Sequence, residues 1–199
     1  MMAYLLFDPT LYANIKAEIA PAVTAGVQGL DSRLGECPRL MALYNEILRL
    51  TTASASVRTV ESDTPVRDVI LRKGGKVLLP FRQLHFNEKV FGSDVNRFDP
   101  ARFLKDQKLQ KNSSFRPFGG GTTYCPGRYL AQREVLVFIA LSMFRFESLN
   151  LAAEGQQAFP VLDTKKPCLG IMTPVAGQDV EVVIRMAETD KAPGTNGIA

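Results

Sequence analysis

Cys125 sits in a segment whose residue types and spacing suit metal chemistry. In Phe118-Gly119-Gly120-Gly121-Thr122-Thr123-Tyr124-Cys125-Pro126-Gly127-Arg128, three successive glycines precede the sulfur and an apolar, helix-like stretch follows it. Glycine tolerates positive φ and lets backbone approach a flat ligand closely. Pro126 is well placed to start the helix. A thiol there meets unpaired N–H groups and the positive end of the helix dipole, which favour the thiolate. Backbone donors near the sulfur would tune the electron density it gives a metal. The other cysteines, Cys37 and Cys168, are far off in sequence, no CxxC pair occurs, and His85 is the only histidine. A zinc cluster is therefore not indicated, and reduced thiols are the simplest reading. One thiolate in a glycine-rich cradle suits the axial ligand of a haem iron. The competing reading is a buried structural cysteine after a turn, since cysteine often serves as a small hydrophobe.

A second constellation is ionic. Glu46 and Arg49 lie three residues apart in NEILRL and so share one helix face. Such pairs are usually solvated and weakly stabilising. Here the flanking residues are apolar, and a buried pair needs a further partner to satisfy the guanidinium. Arg102, in FDPARF, is the candidate.

These residues need elements to hold them. Asp8-Pro9 reads as a helix start, with Leu11, Ile15 and Ile19 on one face and Gly26 and Gly29 ending the segment. Pro38 opens a second helix through Leu40, Met41, Tyr44, Ile47 and Leu48. Between Ser54 and Phe81 the runs SVRTV, VRDVIL and KVLLPF predict a small antiparallel sheet, with Gly74-Gly75 turning between the last two. Residues 86–117 are polar and irregular, a length usually functional or wrapped on a partner surface. The helix from about Arg128 to Phe144 is apolar nearly all round and is expected to be buried. CLGIMTP and DVEVVIRM alternate like strands joined near Ala176-Gly177, and the tail from Lys191 is expected to be disordered. No internal repeat is evident.

The 199 residues suffice for one domain with a sizeable core. A hydrophobic content of 46% and a charged content of 22% are ordinary for a globular chain. The net charge of +4 is spread along the sequence, which argues against a nucleic-acid partner. MMAYLLF is too short to span a membrane and lacks the basic residues of a signal peptide, so it reads as the end of a helix whose beginning is absent.

Together these residues resemble the cytochrome P450 family. Phe118, Gly121, Cys125 and Gly127 match its Phe-x-x-Gly-x-x-x-Cys-x-Gly haem signature. Glu46 and Arg49 match its Glu-x-x-Arg helix. Pro100, Arg102 and Phe103 match the Pro-x-Arg-Phe loop that locks that helix, with Ala101 in place of the usual acid. The resemblance implies haem b as cofactor, Cys125 as the metal ligand, and Phe118, Gly119, Gly121 and Gly127 among the cofactor-binding residues. It gives Glu46, Arg49 and Arg102 a structural role behind the haem. Many members carry Arg or His two residues before the cysteine to bind a haem propionate. This chain has Thr123, so the charge must come from elsewhere, and Arg58 resembles a position that supplies it, the alternative being an exposed strand arginine. SAS-x-x-R with G-x-T-x-C-P-G-R is similar to the sterol 7α-hydroxylase and prostacyclin synthase branch and related fungal enzymes.

The implied fold is mainly α with small antiparallel sheets, the C-terminal portion of the P450 fold. Residues 1–190 would form that portion, with a haem loop at 115–128 and a tail at 191–199. The implied activity is monooxygenation of a lipophilic substrate with dioxygen and electrons from a reductase, an NADPH-dependent flavoprotein. Ala53–Val57 and Thr173–Ala176 correspond to segments lining the substrate pocket, and Arg116, Arg128 and Arg133 to a basic docking surface. An ordinary solvated face is the alternative for the three arginines. His85 reads as a packing or loop-pinning residue. The family's oxygen-activating helix and membrane anchor have no counterpart here, so a truncated form is expected. Full-length relatives are mostly anchored in the endoplasmic reticulum membrane, whereas this chain shows no anchor or signal. The competing readings are a non-catalytic haem-binding fragment and a haem-thiolate isomerase or dehydratase.

Overall fold

The computed structural model describes residues 1–152, 157–166, 168 and 170–186, with backbone only at 147 and 148. The expected disordered tail from Lys191 lies outside these residues. In chain order the elements are α1 (Met2–Leu6), α2 (Pro9–Thr24), α3 (Leu30–Gly35), α4 (Pro38–Thr51), β1 (Ala55–Thr59), β2 (Thr64–Val66), β3 (Val69–Leu71) and β4 (Lys76–Pro80). Then follow α5 (Phe81–His85), α6 (Glu88–Phe91), α7 (Arg102–Lys105), α8 (Arg128–Arg145), β5 (Phe146–Leu151) and β6 (Val182–Met186). Helices with small antiparallel sheets are thus the observed class. No helix of the described residues is long and apolar enough to cross a membrane.

The chain forms two compact units. One comprises Met1–Tyr44, Gly127–Leu162 and the chain from Pro174, the other Asn45–Pro126 with Asp163–Thr173. In the first unit, Asp8 caps α2 as its sequence predicts, its carboxylate accepting the Leu11 N–H at 2.9 Å. Ile15, Ile19 and Ala22 bury one face of that helix, while α2 and α3 both pack on α8. The Glu18 carboxylate accepts the N–H groups of Arg39 and Leu40 at 3.0 and 2.9 Å, satisfying donors that the start of α4 leaves open.

Two expectations fail here. The α8 helix is not buried all round: Leu136, Ile139, Ala140 and Met143 are buried, but Leu130 and Phe138 remain 58% and 61% exposed. An apolar helix need not be enclosed when its neighbours cover only one side. Nor does CLGIMTP form a strand: its described residues make only the isolated bridges Thr52–Ile171 and Leu162–Pro174, ahead of the expected turn at Ala176-Gly177. β6 pairs antiparallel with β5, the FESLNL stretch directly after α8, for which no strand was expected.

The second unit holds the remaining sheets and the second half of α4. β1 pairs antiparallel with β4, Ala55 opposite Pro80 and Thr59 opposite Lys76. The run VRDVIL does not join them. Its two ends belong to a separate hairpin, β2 on β3, turning at Arg67-Asp68 with Arg67 at φ +49°. Gly74, at φ +80°, turns the chain back towards β4. Residues 86–117 are irregular as expected, broken only by the short α6 and α7 and a 3₁₀ turn at Gln107–Lys111.

Candidate functional site

The second unit gathers the chemistry-bearing residues. Glu46 and Arg49 project from α4 and are completely buried. The pair is bidentate: Arg49 Nε and Nη2 donate to the two Glu46 carboxylate oxygens at 2.8 Å each. Arg102, at the start of α7, donates from Nε to Glu46 Oε1 at 3.2 Å, and the Asp99 N–H adds a bond at 3.1 Å. The three residues singled out from sequence are thereby brought together. Arg49 Nη1 donates to the carbonyls of His85 and Val95 at 3.1 and 2.8 Å. Arg102 Nη1 donates to the Phe91 carbonyl and, at 2.9 Å, to Asp94 Oδ1. Asp94 is a fourth member that sequence reasoning missed. Its half-exposed carboxylate balances the second guanidinium, and the Arg102 hydrogen bond holds it below the usual carboxylate range.

Around Cys125 the loop is closed by backbone. The Cys125 N–H donates to the Phe118 carbonyl at 3.1 Å, and the Gly119 N–H to the Arg116 carbonyl at 3.1 Å. Gly119 and Gly121 adopt φ of +80° and +69°, the conformation their position predicted, and a 3₁₀ turn runs from Gly121 to Thr123. Gly120 matters for space: a Cβ there would stand 3.2 Å from Arg116 Nη1. Gly127 has φ −74°, open to any residue, and its carbonyl accepts the Ala131 N–H in the first turn of α8.

A cavity of about 340 Å³ opens on this loop. Cys125, Thr123, Phe118 and the Gly119-Gly120 backbone line it, together with Ser54, Ala55, Ser56 and Phe81. Pro117, Gly170 and Ile171 complete the lining, which does not include the Thr173–Ala176 turn expected there. Gly170 and Ile171 reach it because the Ala53 N–H donates to the Gly170 carbonyl at 2.8 Å and Thr52 bridges Ile171. Arg58, exposed on β1, donates through Nη2 to the Thr123 hydroxyl. Arg58, the residue considered from sequence for binding a propionate, thus contacts Thr123, which stands where many family members carry the propionate-binding Arg or His. Arg116 donates from Nε to the Ser113 carbonyl at 3.0 Å. In the other unit Arg128 stacks on Tyr129 and Arg133 pairs with Asp31 at 3.3 Å.

His85 is fully buried in this second unit. Its Nε2 accepts the Arg116 N–H at 2.9 Å, and its ring packs on Phe115. Burial, with the Arg49 and Arg82 cations nearby, pushes its pKa down to about 4, so the imidazole is neutral. An unfolded chain takes up this proton near pH 6.5, while the folded chain refuses it until about pH 4. Stability is therefore expected to fall as pH drops through that window, by on the order of 3 kcal/mol from this group. Urea midpoints followed from pH 7 to pH 4 measure it; a flat profile would mean an accessible imidazole.

The donor set is informative about what the cavity can hold. Among the described residues no three His, Cys, Asp or Glu side chains stand close enough together to hold a metal ion. A lone sulfur suits an ion that brings its other ligands with it, as a haem does. The glycine backbone, which admits close approach of a flat group, and the Arg58–Thr123 pair, which offers donors to an acid, fit the same group.

Comparison with known proteins agrees with the fold. The model of the family described as "Cytochrome P450" matches residues 1–172. The chain is similar to abietadienol/abietadienal oxidase of Pinus taeda, 37% identical over 120 residues, covering 60% of this chain and 25% of that protein. It is also similar to abscisic acid 8'-hydroxylase 2 of Oryza sativa subsp. indica, 30% identical over 169 residues, covering 81% of this chain and 33% of the relative. A zebrafish cytochrome P450 solved with progesterone superposes with a TM-score of 0.70 at 26% identity, covering 93% of this chain and 40% of that one. The chain thus spans a quarter to two-fifths of the length of these relatives. With that family model matching residues 1–172, and with helices and small antiparallel sheets that superpose on a solved member, the chain belongs to the cytochrome P450 family.

Proposed function

We propose that this chain forms the cysteine-ligand side of a haem-thiolate monooxygenase, with Cys125 as axial ligand and a lipophilic compound as substrate. The observation that carries this reading is the shared cavity: Cys125, the glycine backbone and Thr123 line one space of about 340 Å³. When bound, haem b supplies oxygen activation, and a thiolate ligand favours O–O cleavage, as is general for this family. The protein's part is positional. Phe118, Gly119 and Gly121 shape the loop, Arg58 and Thr123 hold a propionate, and Glu46, Arg49 and Arg102 keep the framework behind it rigid. Ala55, Phe81 and Ile171 give the cavity its apolar share, in keeping with relatives named for abietadienol, abietadienal and abscisic acid. Dioxygen and an NADPH-dependent flavoprotein reductase complete the proposed reaction. The finer similarity to the sterol 7α-hydroxylase and prostacyclin synthase branch rests on the SAS-x-x-R and G-x-T-x-C-P-G-R motifs.

The test is a carbon monoxide difference spectrum of the reduced, haem-loaded chain. A Soret band at the thiolate position is expected; failure to take up haem would leave the chain without this function. Arg58→Leu is expected to weaken haem uptake by about tenfold, because a charge-assisted hydrogen bond to a carboxylate is lost. A haem titration checks this, and equal affinities would return Arg58 to the role of an exposed strand residue.

A further inference from the structure

We propose that His85 is a positioning residue that ties the Cys125 loop to the buried Glu46–Arg49 ion pair; the proposal rests on Cys125 being the haem ligand. A continuous path of hydrogen bonds supports it. Glu46 holds Arg49 bidentately, and Arg49 Nη1 donates to the His85 carbonyl at 3.1 Å. The His85 imidazole then accepts the Arg116 N–H at 2.9 Å through Nε2. The Arg116 carbonyl accepts the Gly119 N–H, and the Phe118 carbonyl accepts the Cys125 N–H, both at 3.1 Å. His85 is the only side chain on this path between the guanidinium and the loop backbone. One residue thus grips the ion pair with its backbone and the cysteine loop with its ring.

The chemistry at each end requires an imidazole in one state. Nε2 can accept only if it is unprotonated, which places the single ring proton on Nδ1. Burial and the Arg49 and Arg82 cations keep the ring neutral, so the acceptor persists across the physiological range. Among the described residues Nδ1 has no hydrogen-bond partner. Phe115, packed at 5.6 Å between ring centroids, leaves the imidazole little freedom to turn away. The path predicts that losing the acceptor loosens Arg116, Gly119 and Cys125 without loosening α4.

Two substitutions separate acceptor from bulk. His85→Phe keeps a ring against Phe115 but cannot accept. His85→Gln places an amide oxygen near the Nε2 position and can. Amide hydrogen exchange on the chain without haem is the first readout, since it does not depend on Cys125 binding anything. Exchange at Arg116, Gly119 and Cys125 is expected to rise about tenfold in His85→Phe, to return toward wild type in His85→Gln, and to stay unchanged in α4. The carbon monoxide spectrum of the haem-loaded variants is the second, with the thiolate band weakened in His85→Phe and restored in His85→Gln. Unchanged loop exchange in His85→Phe, or a rise spread equally over α4, would overturn the proposal. If His85→Phe does not fold, His85→Asn, whose shorter amide stops near Nδ1, takes its place against His85→Gln; equal loop exchange in those two overturns it as well. Absence of the thiolate band in wild type would instead remove the haem-ligand reading and leave the exchange result standing on its own.

Discussion

Cys125→Ala is expected to abolish the thiolate-type Soret band of the reduced carbon monoxide complex while leaving the fold nearly as stable. The sulfur is only half-buried, at the edge of the cavity, so its removal opens little enclosed space. The bond that closes the loop, from the Cys125 N–H to the Phe118 carbonyl, is made by backbone and survives the change. Stability should therefore move by about 1 kcal/mol or less, whereas the spectral signature should disappear. The other two cysteines separate the ligand from its alternatives. Cys37 belongs to the other unit, where burial, then Glu18 and Glu36, push its thiol pKa up and disfavour the thiolate. Cys168 lies close by in sequence to Gly170, which lines the cavity, and its sulfur accepts the Gly170 N–H at 3.3 Å. Cys168→Ala is the sharper control and should keep the band. A band that survives in Cys125→Ala and is lost in Cys168→Ala would move the metal ligand to Cys168.

What the sequence revealed follows from the range of the interactions involved. The Asp8 cap and the start of α4 at Pro38 depend on residues a few positions apart, and both are read directly. The glycine conformations at 119 and 121 are likewise local. The contact of Arg102 with Glu46 spans 56 positions, and it was anticipated from the Pro-x-Arg-Phe resemblance; Arg102 meets the Glu46 carboxylate, which still has acceptor capacity, and not the Arg49 guanidinium. Strand pairing carried no such demand. Between Ser54 and Phe81, nearest neighbours were expected to pair, but β1 skips over the intervening hairpin to reach β4. The hairpin itself turns at Arg67-Asp68 without a glycine, so the strongest turn signal was missing. β6 found its partner in FESLNL, where six residues directly after a long helix gave too short an alternation to stand out. Asp94 escaped because its carboxylate reaches Arg102 from inside an irregular segment, and His85, read as a packing or loop-pinning residue, could not be given its partner because the Arg116 N–H is backbone.

The largest stability effect is expected at Glu46, because one carboxylate there satisfies two guanidinium groups and a backbone N–H. In Glu46→Ala, Arg49 keeps its charge with no solvent contact, and Arg102 keeps the half-exposed Asp94 as its carboxylate partner. Removing one member of a buried ion cluster typically costs about 3–5 kcal/mol, since the remaining charge is left uncompensated. Against a total stability on the order of 5–15 kcal/mol, that is enough to leave a sizeable unfolded fraction. The carbonyls of His85, Val95 and Arg97 still accept from Arg49, so the cluster is weakened rather than deleted. Glu46→Gln should fall between, since the amide oxygen can accept while its NH₂ is set against guanidinium donors. Lys105→Ala provides the exposed counterpart: it breaks the Lys105–Asp99 bridge at 2.8 Å, whose lysine is largely solvated, and should cost no more than about 1 kcal/mol. Urea unfolding of the three variants orders them. Equal, small losses at Glu46 and Lys105 would show that water reaches the Glu46–Arg49 pair, and the framework behind the Cys125 loop would then have no rigid anchor for His85 to transmit.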